Sequence, residues 1–185
     1  MKRRDFLRWG LGGTLLSRAG FVAGKAWVPD FASIDIQATG MDAQQWRLIA
    51  AVQSHLFPSE PGAPGAVEAN ATAWLQWVLS DPSLPGETRI FFRQGAQELA
   101  ALTARKVGKP FWQLEPAARE SLLRAYEKQG GGRWLRELIH YILEALLSDP
   151  VYGGNPGGIG WRWLEHRPGY ERPSPQQRYF LLVDR

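Results

Sequence analysis

The candidate metal ligands of this chain lie one helical turn apart. Glu137 and His140 form a Glu-x-x-His pair. Such a pair is half of the ligand motif of di-iron helical bundles, which need a second pair and two further glutamates. The remaining histidines, His55 and His166, do not form a second pair. A solvated or partner-facing strip on the polar side of a helix therefore competes with a metal site.

The chain contains no cysteine. Without thiolates it has no disulfide framework, no cysteine zinc site, no iron–sulfur cluster and no C-x-x-C-H haem attachment. The sequence thus excludes the cofactors and metal centres that are held through cysteine sulfur.

A stretch rich in glycine and aromatic residues, DPVYGGNPGGIGWRWLEHRPGYERPS, could bind a sugar. Trp161 and Trp163 could stack on sugar rings, and Asp149, Asn155 and Arg167 could bond hydroxyl groups. Trp, Tyr and Arg are also favoured in protein interfaces. Packing in the core or against a partner is the favoured interpretation, and a sugar-binding module is the alternative.

The elements that would position these residues are helices, because apolar residues recur at steps of three and four. The chain is predicted to be all-α, a small bundle of about five helices followed by an ordered glycine- and aromatic-rich C-terminal segment. The last helix is the most apolar and is expected at the centre. The predicted helices cover residues 42–57, 66–79, 88–107, 116–129 and 133–147.

The positive charge of the chain is concentrated at its N-terminus. Residues 1–26 hold six basic residues and one acidic residue, and the whole chain has a formal net charge of +4. The remainder is therefore close to −1. A near-neutral body lacks the basic face that neutralises phosphates, so no nucleic-acid partner is expected.

The first residues are typical of a twin-arginine export signal. Arg3 and Arg4 precede Phe6 and Leu7, and a glycine-rich apolar stretch follows. Such signals direct folded proteins to the export machinery. The expected organisation is a signal over 1–26, a linker over 27–40, a helical bundle over 41–148, and a segment over 149–185 packed on the bundle or on a partner.

An address for folded proteins without a visible cofactor site suggests that the chain travels with a partner. The partner would hold the cofactor and lack an address of its own. The ordered aromatic segment would then be the contact surface.

Three segments of the sequence carry a family resemblance. They are the twin-arginine leader, the Phe57-Pro58…Pro64-Gly65-Ala66 breaker, and Ser148-Asp149-Pro150-x-Tyr152-Gly153-Gly154-Asn155 with its continuation through Gly157-Gly158-x-Gly160-Trp161 and His166-Arg167-Pro168-Gly169. Together they resemble the gluconate 2-dehydrogenase subunit 3 family, the small subunits of membrane-associated flavin dehydrogenases. The C-terminal motif is long and specific.

The resemblance implies a non-catalytic subunit that escorts a large partner through the twin-arginine machinery to the periplasm. The large subunit would hold FAD, belong to the glucose–methanol–choline type and oxidise a sugar, sugar acid or polyol. A membrane-bound multi-haem cytochrome c often takes the electrons onward. No cofactor and no catalytic residue is carried over to this chain.

The residues expected to contact the partner lie in the C-terminal segment. They are Asp149, Tyr152, Gly153, Gly154, Asn155, Gly160, Trp161, Trp163, His166 and Arg167. Two alternatives stay open at this point: a stand-alone periplasmic helical enzyme with a metal at Glu137 and His140, and a sugar-binding module.

Overall fold

The computed structural model describes residues 34–169 and 174–177 of the chain. The predicted export residues Arg3, Arg4, Phe6 and Leu7 lie outside these ranges. Within them the protein is all-α, as predicted. These residues form no strand, and the one β-type contact among them is an isolated bridge between Glu60 and Ala63. None of the described helices is both long and apolar enough to cross a membrane.

Six α-helices form the described part of the chain. They are α1 (Ala43–Leu56), α2 (Ala71–Ser80), α3 (Gly86–Val107), α4 (Pro116–Tyr126), α5 (Gly132–Leu147) and α6 (Ile159–Trp163). The first five confirm the predicted helices. The sixth is a single turn in the glycine-rich segment, beyond the five predicted helices.

Local sequence sets where the helices begin and end. Asp42 caps α1, because its carboxylate accepts the Gln45 amide N–H at 2.8 Å while the Gln45 side chain accepts the Asp42 N–H at 2.9 Å. Pro116 occupies the first position of α4, where its missing N–H costs no helical bond. Gly108 ends α3 in the left-handed conformation.

The predicted start of the second helix at residue 66 is wrong. The helix begins at Ala71, because Asn70 has a φ of 60° and a left-handed residue cannot continue a right-handed helix. Residues 66–70 instead form tight turns, one of them closed by the Ala71 N–H donating to the Ala66 carbonyl at 3.0 Å. The α-helical part of the fourth helix ends at Tyr126, and a π-helical turn, Glu127–Gly131, continues it past the predicted end at 129. Gly130, with a φ of 103°, breaks the helical geometry and redirects the chain into α5.

The core divides into two clusters that share α5. The larger one gathers apolar side chains from α1 to α5 with Phe111 and Leu114, and includes Leu138 of α5. The smaller one holds Ile142 and Leu146 of α5, the loop after α1, and side chains of the C-terminal segment packed at its edge. Leu138, Ile142 and Leu146 are fully buried. Because it contributes to both clusters, α5 is central, as predicted, and its C-terminal half supports the glycine-rich C-terminal segment.

Candidate functional site

The C-terminal segment folds back on the end of α5 through a buried asparagine. Asn155 is completely buried, with a φ of 48°. Its Nδ2 donates to the Ser148 carbonyl at 2.9 Å, and its Oδ1 accepts the Gly160 N–H at 2.7 Å. One amide thus joins the end of α5 to the start of α6, and we call Ser148, Asn155 and Gly160 the clasp.

Two glycines let the segment approach α5 closely. A Cβ on Gly160 would overlap the Leu146 carbonyl oxygen, and a Cβ on Gly154 would overlap the Ser148 hydroxyl and lie 2.6 Å from the Ala145 carbonyl oxygen. Both glycines are buried. The glycine-rich character of the motif therefore reflects close backbone packing against α5.

Asp149 begins the segment and shapes its first turn. Its carboxylate accepts the Val151 N–H at 3.0 Å and so caps the single 3-10 turn Pro150–Tyr152. Gly153 follows with a φ of 97°, which glycine adopts without strain. Tyr152 packs half-buried at the edge of the smaller core cluster.

The two tryptophans of α6 are half-buried and bonded to the bundle. Trp161 donates its indole N–H to the Leu147 carbonyl at 2.9 Å. Trp163 packs edge-on against Phe57, with ring centroids 6.2 Å apart. His166 closes the segment, donating its backbone N–H to the Trp161 carbonyl at 2.8 Å.

The breaker after α1 is a second ordered loop. The Ala66 N–H donates to the Phe57 carbonyl at 2.8 Å, which ties the ends of the loop together. Inside it the Glu68 carboxylate accepts the Ser59 hydroxyl at 2.6 Å and the Gly65 N–H at 2.9 Å. These hydrogen bonds, that of Ser59 foremost, lower the pKa of Glu68, so the carboxylate stays ionised and holds the loop.

Two of the three segments that carry the resemblance, the breaker and the C-terminal motif, lie close together in the fold, although about ninety residues separate them in sequence. Asn70 donates its Nδ2 to the Gly153 carbonyl at 3.3 Å, and Trp163 rests on Phe57. Between them runs an open groove of about 460 Å³. Its walls are Ser59, Glu60, Gly62, Ala63, Pro64 and Glu68 on one side and Ile159, Arg162 and Trp163 on the other.

The structure separates the predicted partner-binding residues into two groups. The buried group, Gly154, Asn155 and Gly160, lies inside the fold and shapes the segment. The accessible group comprises Asp149, Tyr152, Gly153, Trp161 and Trp163, which are half-buried, and His166 and Arg167, which are exposed. Contact with a partner stays a prediction. Only the accessible group and the groove present surface that a partner could touch in this conformation.

The Glu137–His140 pair is not assembled as a joint site. The His140 imidazole instead lies 3.0 Å from the Glu144 carboxylate, and Glu144 also accepts the Trp74 indole N–H at 3.3 Å. Over residues 34–169 and 174–177, no three or more His, Cys, Asp or Glu side chains are grouped so as to hold a metal ion. Sequence spacing did not reveal the hydrogen bond between Trp74 and Glu144, because the two residues lie on different helices.

The proposed sugar-binding set is also not brought together. The amide of Asn155 is enclosed in the clasp, and Asp149 bonds to the backbone of its own turn. Trp161 and Trp163 face different neighbours, the end of α5 and Phe57. The described geometry therefore favours packing and surface presentation for these residues.

Comparison with known proteins agrees with the resemblance seen in the sequence. A family model described as Gluconate 2-dehydrogenase subunit 3 matches residues 43–169, well over half of the chain and all of the groove and clasp. No curated protein and no solved structure matches the chain. The chain therefore belongs to the gluconate 2-dehydrogenase subunit 3 family.

Proposed function

We propose that this chain is the non-catalytic small subunit of a periplasmic FAD-dependent sugar, sugar-acid or polyol dehydrogenase. In this role it escorts the large flavin subunit through the twin-arginine pathway and remains its structural partner. The family name is that of a subunit of a dehydrogenase complex, which supports a role within an assembly.

The observation that carries the proposal is the junction of the two family segments. Asn155 and the buried glycines fix α6 on the bundle, and the breaker loop is fixed by Glu68. Between these two hydrogen-bonded pieces lies a groove bordered by Trp163 and Arg162, residue types that dominate binding hot spots. A surface held in place before contact loses little conformational entropy on association, which favours binding.

The internal bonding of the motif supports a binding role over a chemical one. The clasp amide has both its oxygen and its nitrogen engaged by backbone groups. The Trp161 N–H is engaged as well. These polar groups are used to hold the fold together, so a chemical reaction is not needed to explain why the motif contains them.

The export part of the proposal rests on the leader and is tested there. Exchanging Arg3 and Arg4 for two lysines is expected to leave the activity of the flavin partner in the cytoplasm, because the escort supplies the address for both chains. The measurement is dehydrogenase activity in separated periplasmic and cytoplasmic fractions.

A matched control exchanges two exposed arginines of the body, Arg105 and Arg136, for lysine. That variant is expected to export the activity normally. Unchanged periplasmic activity in the leader variant would refute the escort role.

A further inference from the structure

A second surface feature lies in the connection between α3 and α4. Phe111–Gln113 form a single 3-10 turn. Phe111 is buried in the larger core cluster, and Trp112 packs against the same cluster while remaining half-exposed. Phe111 therefore anchors the turn and leaves the neighbouring indole at the surface.

Two arginines from different helices converge on this turn. Arg119 of α4 donates its Nη2 to the Trp112 carbonyl at 2.8 Å, and its guanidinium lies 5.8 Å from the Phe111 ring centroid. The guanidinium of Arg47, on α1, lies 5.6 Å from the centroid of the Trp112 ring. We call Arg47, Trp112 and Arg119 the arginine–tryptophan patch.

The positive charge of this patch is not neutralised within the part of the chain that the structure describes. The salt bridges there join other groups, and Arg124, for comparison, is paired with Glu120 at 2.6 Å. Glu115 accepts only the backbone N–H of Arg119, through its own backbone carbonyl at 3.0 Å, and this helical bond leaves the guanidinium charge unchanged. The Nε of Arg119 is buried without an acceptor. The patch therefore keeps two cations among the described residues. Arg47 is exposed and can offer its planar fork to a carboxylate, whereas Arg119 is bonded to the turn and adds positive charge beside it.

We propose that the arginine–tryptophan patch binds an acidic segment of a protein partner in the complex. A guanidinium stacked on an indole is held in position before contact, and Trp and Arg are the residue types that most often dominate interface energies. The charge complements Asp and Glu side chains. A protein fits better than a membrane surface, since recognition of anionic lipids uses clusters of about four to eight basic residues.

The inference rests on the proposed function only in that the chain must sit in a complex. Its test uses the absence of cysteine from the sequence, which allows one cysteine to be introduced at a chosen position. Gln113→Cys places it beside the patch, Arg167→Cys in the C-terminal segment, and Glu87→Cys at an exposed control position. Each full-length variant, made in its host, is labelled with a benzophenone maleimide, photolysed within the purified complex, and its cross-linked peptides are identified by mass spectrometry.

The expected result is a cross-link from Gln113→Cys to a protein segment rich in Asp and Glu. Adding Arg47→Glu, at an exposed position, should lower that yield about tenfold, whereas Arg47→Lys should lower it less. Thermal unfolding of each variant verifies that it is folded.

Two results would overturn the inference. One is a cross-link yield from Gln113→Cys no higher than from Glu87→Cys. The other is sedimentation of the chain with phosphatidylglycerol vesicles that Arg47→Glu abolishes, which would assign the patch to a lipid surface. Cross-links from Arg167→Cys to the flavin subunit report on the proposed function separately. If they appear while Gln113→Cys gives no cross-link above the Glu87→Cys control, the inference about the patch is wrong and the proposed function is unaffected.

Discussion

Two glycine-rich regions of this protein have similar compositions and different structures. The Gly130–Gly132 stretch joins α4 to α5, and Gly130 adopts a φ of 103° with open space around it. The Gly153–Gly160 stretch packs on the end of α5, and two of its glycines lie against backbone carbonyls. The first region redirects the chain, whereas the second builds a surface.

The difference comes from what the glycines touch. Gly131 lies against the ring of Tyr126, a side chain, whereas Gly160 lies against the Leu146 carbonyl, part of a rigid helix. A side chain can shift more easily than a helix backbone. Only the second region also has a buried polar side chain, Asn155, to fix its position. Glycine content alone therefore does not distinguish a turn from a site.

The largest effect is expected from Gly160→Ala. The new methyl group would overlap the Leu146 carbonyl oxygen, so α6 would have to move away from α5. The free energy of unfolding is expected to fall by about 3 kcal/mol. The loss cannot exceed the free energy needed to detach the segment locally, because the strained segment can then leave the bundle. Urea unfolding of the full chain measures it.

Gly169→Ala is the matched control, because a Cβ there would meet nothing within 4 Å. It is expected to change the unfolding free energy by no more than about 0.5 kcal/mol. Equal effects of the two substitutions would show that α6 is not packed on α5 as described.

Asn155→Ala is expected to cost about 2 kcal/mol, because the buried Ser148 carbonyl and Gly160 N–H each lose their partner. Asn155→Asp is the isosteric comparison, keeping the acceptor and losing the donor. Burial and the facing carbonyl favour the protonated carboxyl, whose O–H can donate. Relative to the parent chain, that variant should therefore lose less stability at low pH than at neutral pH. Urea unfolding of both chains at pH 4 and pH 7 checks the sign, and a larger loss at pH 4 than at pH 7 would contradict the clasp.

Gly131→Ala is expected to cost less, about 1.5 kcal/mol, because the obstacle is the Tyr126 ring. Gly132→Ala is its control, since its Cβ would lie at 3.4 Å from its neighbours, in a helical position where alanine is preferred. Neither substitution should alter retention of the partner, which can be followed by co-purification. Loss of the partner in Gly131→Ala would mean that the turn, too, belongs to the binding surface.

The smallest effect concerns Tyr141, which packs against both core clusters. Burial raises the pKa of Tyr141 to about 12, and the charges of Glu144 and Glu137 add to the shift. Because the folded state holds this proton more tightly, the contribution to stability is present below about pH 10 and is lost between about pH 10 and about 12. Tyr141→Phe should show a flatter decline of stability over this interval. An unchanged decline would place the alkaline sensitivity elsewhere.

The sequence predicted the helices well and the site only in part. Apolar spacing located α1 and α3 to within about two residues, because helix faces are periodic. The start of α2 was wrong because the left-handed Asn70 is fixed by its surroundings, including its bond to Gly153. A local sequence pattern carries no information about a hydrogen bond to a residue eighty-three positions away.

The partner-binding role of the C-terminal segment stays a prediction, and the sequence did not separate its buried residues from its accessible ones. Asn155 was expected at a partner surface, whereas its side chain is enclosed by Ser148 and Gly160. That arrangement depends on the chain returning to the end of α5. The arginine–tryptophan patch was missed because Arg47, Trp112 and Arg119 come from three elements, and their spacing in sequence carries no signal.

The most direct test of the account is a mild purification of the C-terminally tagged chain from its own host, with the visible spectrum of the product recorded. A flavin absorption band and a large co-eluting protein are expected, because the chain is proposed to be a stable partner of the flavin subunit. Haem bands beside it would place a cytochrome in the same complex. A colourless chain eluting alone would contradict the central claim.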